Sequence, residues 1–332
     1  MAYSFLLTYS LSRYTFKNFC RGKKRFPLVL MLEPTFKCNL TCKGCGRIRE
    51  NRDVGGRMLS VKECLDSSDE AGAPVVCLTG GEPLLHPQID QIINGLIDKK
   101  RFVFLATNGI KLISFLPRIK PDPYLSIAVH LDGMAATHDR IVELKGTFDN
   151  AIEAIKEAKA AGFHVRTNTT IYKGTDPKEI LELFELLRKI KVDGMMVTPG
   201  FSYEAVNSKI FLSREETNRF FEPIYASRKR FPFYNTPFYL EFLAGKRKLE
   251  CVPWSTPARN PKGWKSPCYL LTDSYCKSIK EVMEKTEWEH YGPIKDERCA
   301  HCMVHVGYEA DALNQIKNLK DLITMAGWVL LG

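Results

Sequence analysis

Two features of membrane and secreted proteins are missing from this sequence of 332 residues. No apolar run approaches the roughly 20 residues that a helix needs to cross a bilayer. The N-terminus also lacks the basic-then-apolar order and the small-residue cleavage site of a secretory signal. We therefore expect a cytoplasmic protein whose 11 cysteines bind metal or do chemistry rather than form a disulfide framework.

Acidic residues are few relative to basic ones. The sequence has 38 Asp and Glu against 48 Lys and Arg, which gives a net charge of +10. Such an excess attracts anionic partners. Basic and aromatic side chains alternate at 13–25, within an N-terminal segment that we place at 1–25. This segment predicts an amphipathic helix, which either contacts the anionic inner face of a membrane or caps the main domain with a solvated basic face.

The range 26–200 alternates short apolar runs with segments of helical period. The predicted strands are 29–33, 75–79, 102–107, 125–131, 164–171 and 194–198. The predicted helices are 61–71, 87–98, 111–116, 148–161 and 177–190. Strand–helix alternation implies parallel strands with right-handed crossovers. We predict an α/β core in the form of a partial (β/α)6 barrel, with a doubly wound sheet as the alternative.

The range 201–332 has a different character and is predicted to be an irregular, Cys-rich C-terminal extension. Aromatic, proline and cysteine residues are frequent there, and the strand–helix rhythm is lost. Ser213 followed by Glu216 predicts a capping box at the start of a helix. We expect irregular structure over 231–275 and a closing helix over 312–331.

Three cysteines follow the first predicted strand in the pattern C-x3-C-x2-C, namely Cys38, Cys42 and Cys45. Thiolates so close in sequence can face one point only where the chain loops around an ion or a cluster. Structural zinc takes four ligands, whereas three leave one iron of a four-iron cluster open. The pattern resembles that of the radical-SAM superfamily. The resemblance implies a [4Fe-4S] cluster that binds S-adenosylmethionine and cleaves it to a 5′-deoxyadenosyl radical.

Other motifs fall at the predicted strand ends, where ligands bind in parallel α/β folds. Glu82 can accept hydrogen bonds from the ammonium group of S-adenosylmethionine, and Arg140 either pairs with its carboxylate or forms a surface salt bridge. His130 stands where many superfamily members have Ser, and it is either a ligand contact or a core histidine. The full set of candidate contacts is Gly80, Gly81, Glu82, Pro83, Thr107, Asn108, Ser126, His130, Asp132, Arg140 and Asn168.

A more specific resemblance extends over most of the chain. The segments 26–34, 72–76, 80–87, 129–133, 251–254, 263–264, 267–271 and 299–305 look like those of the adenosyl-hopene transferase family. The resemblance implies that the radical adds to the alkene of a hopene, such as diploptene, and gives adenosylhopane. It also implies an apolar polycyclic substrate and an electron donor such as flavodoxin or ferredoxin. The aromatic-rich range 201–242 either lines a pocket for that substrate or forms ordinary core.

Two positions depart from the family pattern. Family members usually have Cys where this chain has Ala106, and many have Cys where Val306 stands. A carbon radical formed by addition to an alkene must gain a hydrogen atom, or an electron and a proton. Ala106 removes a thiol that would suit this role, so either another group quenches the radical or the acceptor differs.

A second group of cysteines lies in the extension, at Cys251, Cys268, Cys299 and Cys302. Gly263 stands five residues before Cys268, a spacing that resembles the auxiliary-cluster extensions of some radical-SAM enzymes. The four thiols can hold a second [4Fe-4S] cluster or a zinc ion, or they can be buried packing residues. We expect the remaining cysteines to be packing residues, namely Cys20, Cys64, Cys77 and Cys276.

Two other functions compete with adenosyl transfer. In the first, the radical abstracts hydrogen from a peptide or another small substrate and leaves as 5′-deoxyadenosine. In the second, the chain is a non-catalytic iron–sulfur or zinc protein that binds nucleic acid. No basic stripe with interleaved aromatics is evident beyond the N-terminus, and the motif at 80–83 would then be unexplained. We therefore expect no nucleic-acid partner.

Overall fold

Six parallel strands form the centre of the protein. The computed structural model describes residues 5–51, 56–206, 209–314 and 318–331. The strands lie side by side in the order β6-β5-β4-β3-β2-β1. Their bounds are β1 (Val29–Leu32), β2 (Val75–Leu78), β3 (Phe102–Thr107), β4 (Leu125–His130), β5 (His164–Ile171) and β6 (Gly194–Pro199). The predicted α/β fold is confirmed, and the open, mostly parallel sheet is consistent with a partial barrel.

One helix precedes the first strand, and others connect the strands that follow it. Their bounds are α1 (Phe5–Cys20), α2 (Gly46–Glu50), α3 (Val61–Ala71), α4 (Ile89–Asp98), α5 (Leu112–Phe115), α6 (Ala135–Val142), α7 (Thr147–Ala160) and α8 (Pro177–Lys189). In α4 the buried residues Ile89, Ile92, Ile93 and Leu96 recur at helical spacing. Full burial of each such side chain stabilises the fold by roughly 1.5–3 kcal/mol. The sequence pattern did not predict α6, a helix of only eight residues.

Strand register brings the candidate site residues to one edge of the sheet. Leu78 pairs with Leu105, Thr107 pairs with Val129, and His130 pairs with Asn168. Because all six strands are parallel, the turns that follow β2, β3 and β4 emerge at the same edge.

The extension is more regular than the sequence suggested. It contains α9 (Arg214–Ala226), α10 (Pro237–Leu243), β7 (Ala258–Asn260), β8 (Gly263–Pro267), β9 (Thr272–Cys276), α11 (Ile279–Lys285), α12 (His305–Asn314) and α13 (Leu319–Leu331). The predicted capping box of Ser213 and Glu216 is present. The prediction of irregular structure over 231–275 is wrong, because β7 pairs with β1 and the next two strands continue the sheet. These strands are too short and polar to show a period.

The first helix packs across the amino-terminal ends of the strands. Leu7 is buried in a cluster with Val75, Phe102 and Tyr234. This contact confirms the capping arrangement for the inner face of α1. In the part of the chain that the structure describes, no helix combines the length and the apolar character needed to cross a bilayer.

Candidate active site at the carboxyl ends of the strands

A cavity of about 420 Å³ runs through the centre of the partial barrel. At one end it is lined by the cysteine loop and by the polar residues that follow the strands. At the other end Leu11 of α1 contributes to its wall. The volume lies within the range of sites that bind drug-sized ligands.

The cysteine loop contributes three free thiols to this cavity, those of Cys38, Cys42 and Cys45. Arg49 fixes the loop, because its Nη1 donates to the carbonyl oxygens of Cys42 at 2.8 Å and of Cys45 at 2.6 Å. Burial raises the pKa of Cys38 to about 11 and also raises that of Cys42, and the charge of Cys45 adds to both effects. Positive charge supplied by a bound group would reverse these shifts.

The two glycines after β2 are required by close packing against the cysteine loop. A Cβ atom at Gly81 would lie 2.1 Å from the carbonyl oxygen of Lys37. One at Gly80, whose φ is +114°, would lie 2.5 Å from the carbonyl oxygen of Thr35. Gly80 and Gly81 were predicted to contact the ligand, whereas the close neighbours that they admit are backbone atoms just before Cys38.

Glu82 is buried beside this loop and is held by three donors. Its Oε1 accepts from the Leu84 N–H at 3.0 Å and from the Thr107 hydroxyl at 2.9 Å, and its Oε2 accepts from the Asn108 N–H at 2.8 Å. Burial raises the pKa of Glu82 to about 7, although the three hydrogen bonds oppose this shift. A carboxylate has about four acceptor sites, so Glu82 retains capacity for a cationic ligand in the cavity that it lines.

The end of β4 holds a histidine–aspartate pair. His130 Nε2 lies 2.7 Å from Asp132 Oδ2, while the other oxygen of Asp132 accepts from the Thr170 N–H at 2.8 Å. Burial lowers the pKa of His130, but the charge of Asp132 and the hydrogen bond to it together outweigh burial, so the pKa is raised overall. His130 lines the cavity and Asp132 does not. Asp132 therefore positions His130.

Seven of the predicted contacts lie at the cavity, and four do not: Asp132, described above, and Pro83, Ser126 and Arg140. Gly80, Gly81, Glu82, Thr107, Asn108, His130 and Asn168 line the cavity. Pro83 is buried at the start of a short helical turn. Ser126 is the second residue of β4 rather than the last, and it bonds to His164 Nδ1 at 2.9 Å. Arg140 is exposed on α6. Neither Ser126 nor Arg140 lines the cavity.

Sequence analysis missed a buried ion pair beneath the cysteine loop. Arg47 Nε lies 3.1 Å from Glu33 Oε1, and both side chains are almost completely buried. The guanidinium also stacks on the Tyr269 ring, 4.1 Å from its centroid. This pair joins α2, which starts directly after Cys45, to β1 and to the extension. The position of Arg47 two residues after the last cysteine was the available signal.

A second missed group lies deeper in the cavity, around Arg166 on β5. Its guanidinium carbon is 3.3 Å from the centroid of the Phe104 ring and 4.2 Å from that of the Tyr234 ring. Its Nε and Nη1 atoms, like Nδ1 of His305, are buried and without a hydrogen-bond partner. Burial, with the nearby charge of Arg166, lowers the pKa of His305 to about 4. Burial raises the pKa of Glu309, which also lines the cavity, to about 7.

Most aromatic residues of the range 201–242 form core rather than pocket. Only Phe201, Tyr203 and Tyr234 of this set line the cavity within the described residues. Seven others are buried in the main core: Phe220, Phe221, Phe231, Phe233, Phe238, Tyr239 and Phe242. Aliphatic residues of the strands and of α12 form a further part of the wall.

The four cysteines of the extension are neighbours in space. Burial raises the pKa of Cys251 strongly, and the charges of Cys302, Cys268 and Cys299 add to that rise. Among the residues that the structure describes, no three His, Cys, Asp or Glu side chains lie close enough together to hold a metal ion as they stand. Of the cysteines expected to pack, Cys64 is buried, Cys20 is exposed, and Cys77 lines the cavity.

Comparison with known proteins identifies the core. Residues 32–187 match the model of the radical SAM superfamily. This part of the chain belongs to the radical SAM superfamily. Residues 195–325 match a domain of unknown function, DUF3463. Membership implies a [4Fe-4S] cluster and S-adenosylmethionine as cofactors of a radical SAM enzyme. Three thiols on one loop, and the buried, unpartnered Oδ1 of Asn168 in the cavity wall, fit these groups.

Relatives with established names share only part of their length with this chain. The AdoMet-dependent heme synthase of Methanosarcina barkeri is 30% identical over 168 residues, which cover 49% of this chain and 48% of that protein. The mycofactocin maturase MftC of Mycobacterium tuberculosis is 30% identical over 141 residues, 41% of this chain and 36% of that protein. The chain thus spans about half the length, or less, of these curated relatives.

Solved structures share the fold over a larger part of the chain. Streptococcus suis SuiB has a TM-score of 0.64 at 17% identity and covers 96% of this chain and 81% of its own. The structure of native anSMEcpe with bound AdoMet and Cp18Cys peptide has a TM-score of 0.55 at 14% identity, and the match covers 85% of this chain and 88% of that chain. At these identities the likeness concerns the fold alone.

Proposed function

We propose that the protein is a radical SAM adenosyltransferase that adds the 5′-deoxyadenosyl group to the alkene of a hopene, such as diploptene, and forms adenosylhopane. The observation that carries the proposal is one continuous cavity with two kinds of wall. Its polar end holds the cysteine loop and Glu82. Its other walls are largely apolar and include Val29, Met31, Ala106, Ala128, Met196, Val304 and Val306. The motifs that resemble the adenosyl-hopene transferase family support the same assignment.

At the polar end, we assign the cluster to Cys38, Cys42 and Cys45. Glu82 is placed to accept hydrogen bonds from the ammonium group of S-adenosylmethionine, and Asn168 Oδ1 offers a further acceptor. Thr107 and Asn108 hold the Glu82 carboxylate in place. When bound, the cluster and S-adenosylmethionine would supply the 5′-deoxyadenosyl radical, with methionine as the leaving group and one electron from a donor such as flavodoxin or ferredoxin. A second electron from that donor, together with a proton, would reduce the carbon radical that addition leaves on the acceptor. The apolar walls exclude water from the acceptor alkene.

An anaerobic assay tests the proposal. The holoenzyme, reconstituted and reduced, is incubated with S-adenosylmethionine with and without diploptene, and the adenosine-containing products are quantified by mass spectrometry. We expect a product heavier than diploptene by an adenosyl unit, formed at the expense of free 5′-deoxyadenosine. Free 5′-deoxyadenosine alone, in an amount unchanged by diploptene, would contradict hopene adenosylation and leave the radical SAM assignment intact.

Arg166 favours a second candidate function, hydrogen abstraction from a peptide or another polar substrate with release of 5′-deoxyadenosine. Its buried and unpaired nitrogen atoms, together with Nδ1 of His305, suit a carboxylate or carbonyl oxygen, whereas diploptene offers no acceptor. Relatives and structures of similar fold include a mycofactocin maturase and SuiB bound to its precursor peptide SuiA. Incubation with polar substrates in the same assay separates the two candidates.

We assign an auxiliary metal site to Cys251, Cys268, Cys299 and Cys302, which can hold a second [4Fe-4S] cluster or a structural zinc. Their mutual proximity and partial burial support this assignment. Iron and zinc analysis of the purified protein tests it. About eight irons per chain would indicate two clusters, and four irons with one zinc would indicate a zinc site. Four irons without zinc would contradict an auxiliary site.

A further inference from the structure

The first helix has two distinct faces. At 100° per residue, Leu7, Leu11, Tyr14 and Asn18 share one side of α1. Leu7 and Asn18 are buried, Leu11 lines the cavity, and the Tyr14 ring packs edge-on against Phe26. This side attaches the helix to the barrel.

The opposite side of α1 presents aromatic rings to solvent. Phe5, Tyr9 and Phe16 lie roughly half a turn from Leu7, and Phe19 lies beside them. Their exposed fractions are 77%, 56%, 69% and 76%. Single exposed apolar residues are ordinary, but a cap on the barrel requires no aromatic row on its outer face. The exposed aromatic row is therefore typical of a surface that binds a partner.

The charge around this row identifies the partner. Residues 1–32 include no Asp or Glu, while Arg13, Lys17, Arg21, Lys23 and Lys24 are exposed on or just after α1. In the described part of the chain, none of these five side chains forms an ion pair within 4 Å. A second copy of the chain would bring a like-charged surface to this face. An anionic phospholipid surface supplies the complementary charge.

We propose that α1 docks on an anionic bilayer with its aromatic row among the headgroups. Displacement of the docked helix then opens a path from the bilayer to the cavity. Leu11 supports the second part of the proposal, because the helix that would face the membrane also contributes this residue to the wall of the cavity. An apolar acceptor dissolved in the bilayer then reaches the cavity by displacement of α1, without crossing water. The docking is independent of the acceptor, and the delivery step rests on the proposed function.

Vesicle co-sedimentation of the reconstituted holoenzyme tests the docking. Vesicles of phosphatidylcholine alone are compared with vesicles that also contain phosphatidylglycerol. We expect at least tenfold tighter binding to the anionic vesicles, weakening with salt, and a loss of at least tenfold in Phe5→Ser/Phe16→Ser/Phe19→Ser and in Arg13→Gln/Lys17→Gln. The control Ile113→Ser/Leu144→Ser/Ile294→Ser removes exposed apolar residues elsewhere and should bind like wild type. Equal binding to both vesicles, or dimers that the aromatic variant dissociates, would overturn the proposal.

Delivery is tested by presenting diploptene either in anionic vesicles or in detergent micelles. We expect the aromatic α1 variant to lose at least tenfold in adduct formation with vesicles and to match wild type with micelles. An equal loss of adduct formation with vesicles and with micelles would contradict the proposed role of α1 in delivery of the acceptor from the bilayer. If wild type formed no adduct in either format, the proposed function would fail while vesicle binding still decided the docking.

Discussion

The Thr107 hydroxyl donates a hydrogen bond of 2.9 Å to Glu82 Oε1 and so joins the ends of β2 and β3 beside the cysteine loop. Together with the Asn108 N–H, this bond orients a carboxylate that lines the cavity within reach of a cationic ligand. The orientation of Glu82 is therefore set before any ligand binds.

Replacement of this carboxylate should weaken cofactor binding selectively. A hydrogen bond to a charged group contributes roughly 1.5–3 kcal/mol, so Glu82→Gln should bind S-adenosylmethionine at least tenfold more weakly. Iron content should stay unchanged, because Glu82 is assigned to the organic ligand alone. Equilibrium binding to the reconstituted protein measures the effect. Glu153→Gln, on the exposed surface of α7, is the matched control, and equal affinity in both variants would refute the assignment.

The cluster ligands are tested by a pair of cysteine variants. Cys42→Ser should lose the iron–sulfur absorbance and the cleavage of S-adenosylmethionine, because two thiolates cannot replace three on the cluster. Cys20→Ser, which changes an exposed thiol on α1, should keep both. Circular dichroism checks that both variants fold. Full iron content in Cys42→Ser would exclude this residue as a ligand.

The apolar wall is tested by filling it. Ala106 and Ala128 are register neighbours on β3 and β4, and both line the cavity. A phenyl ring at position 128 should occupy the space of the acceptor, so Ala128→Phe should lower adduct formation at least tenfold while cleavage of S-adenosylmethionine continues. The exposed substitution Ala136→Phe should have no effect. Undiminished adduct formation in Ala128→Phe would place the acceptor elsewhere.

Arg166 distinguishes the two candidate functions. Removal of an unpaired buried charge leaves stability equal or higher, so Arg166→Met should unfold at the same or a higher denaturant concentration than wild type. If the acceptor is a hydrocarbon, adduct formation should be unchanged. A selective loss of activity in this folded variant, restored in Arg166→Lys, would instead favour a substrate with an oxygen acceptor.

Glu309 gives stability a defined pH dependence. Both oxygens accept hydrogen bonds from Thr236, one of them also from Asn235, and burial raises its pKa from 4.5 to about 7. Because the unfolded chain ionises at lower pH than the folded chain, this residue's stabilising contribution is present at low pH and falls as pH rises toward 7. We expect denaturant titrations to show that, between pH 5.5 and pH 8, the free energy of unfolding falls on the order of 2 kcal/mol more in wild type than in Glu309→Gln. Equal losses of unfolding free energy in wild type and in Glu309→Gln would contradict the raised pKa of Glu309.

Sequence reasoning succeeded where local pattern determines structure. Apolar runs located the six strands, and Ser213 with Glu216 located the start of α9. The cysteine spacing and the Gly-Gly-Glu turn located the polar end of the cavity, because parallel strands bring these segments to one edge.

It failed where side-chain placement depends on distant parts of the chain. Ser126 and Arg140 lie near the right motif but not at the cavity. Arg47 is explained only by Glu33, the residue directly after β1, and by Tyr269 of the extension. The short strand β7 acquires its structure by pairing with the edge of β1, which no local period records.

Adenosyl transfer to carbon is tested most directly with S-adenosylmethionine labelled with carbon-13 at the 5′ position. The reduced holoenzyme is incubated with this cofactor and diploptene, and the lipid fraction is examined by mass spectrometry and carbon NMR. Hopene adenosylation predicts a lipid product in which the labelled carbon is bonded to a hopane carbon. Recovery of the label only in free 5′-deoxyadenosine, with diploptene unchanged, would contradict it.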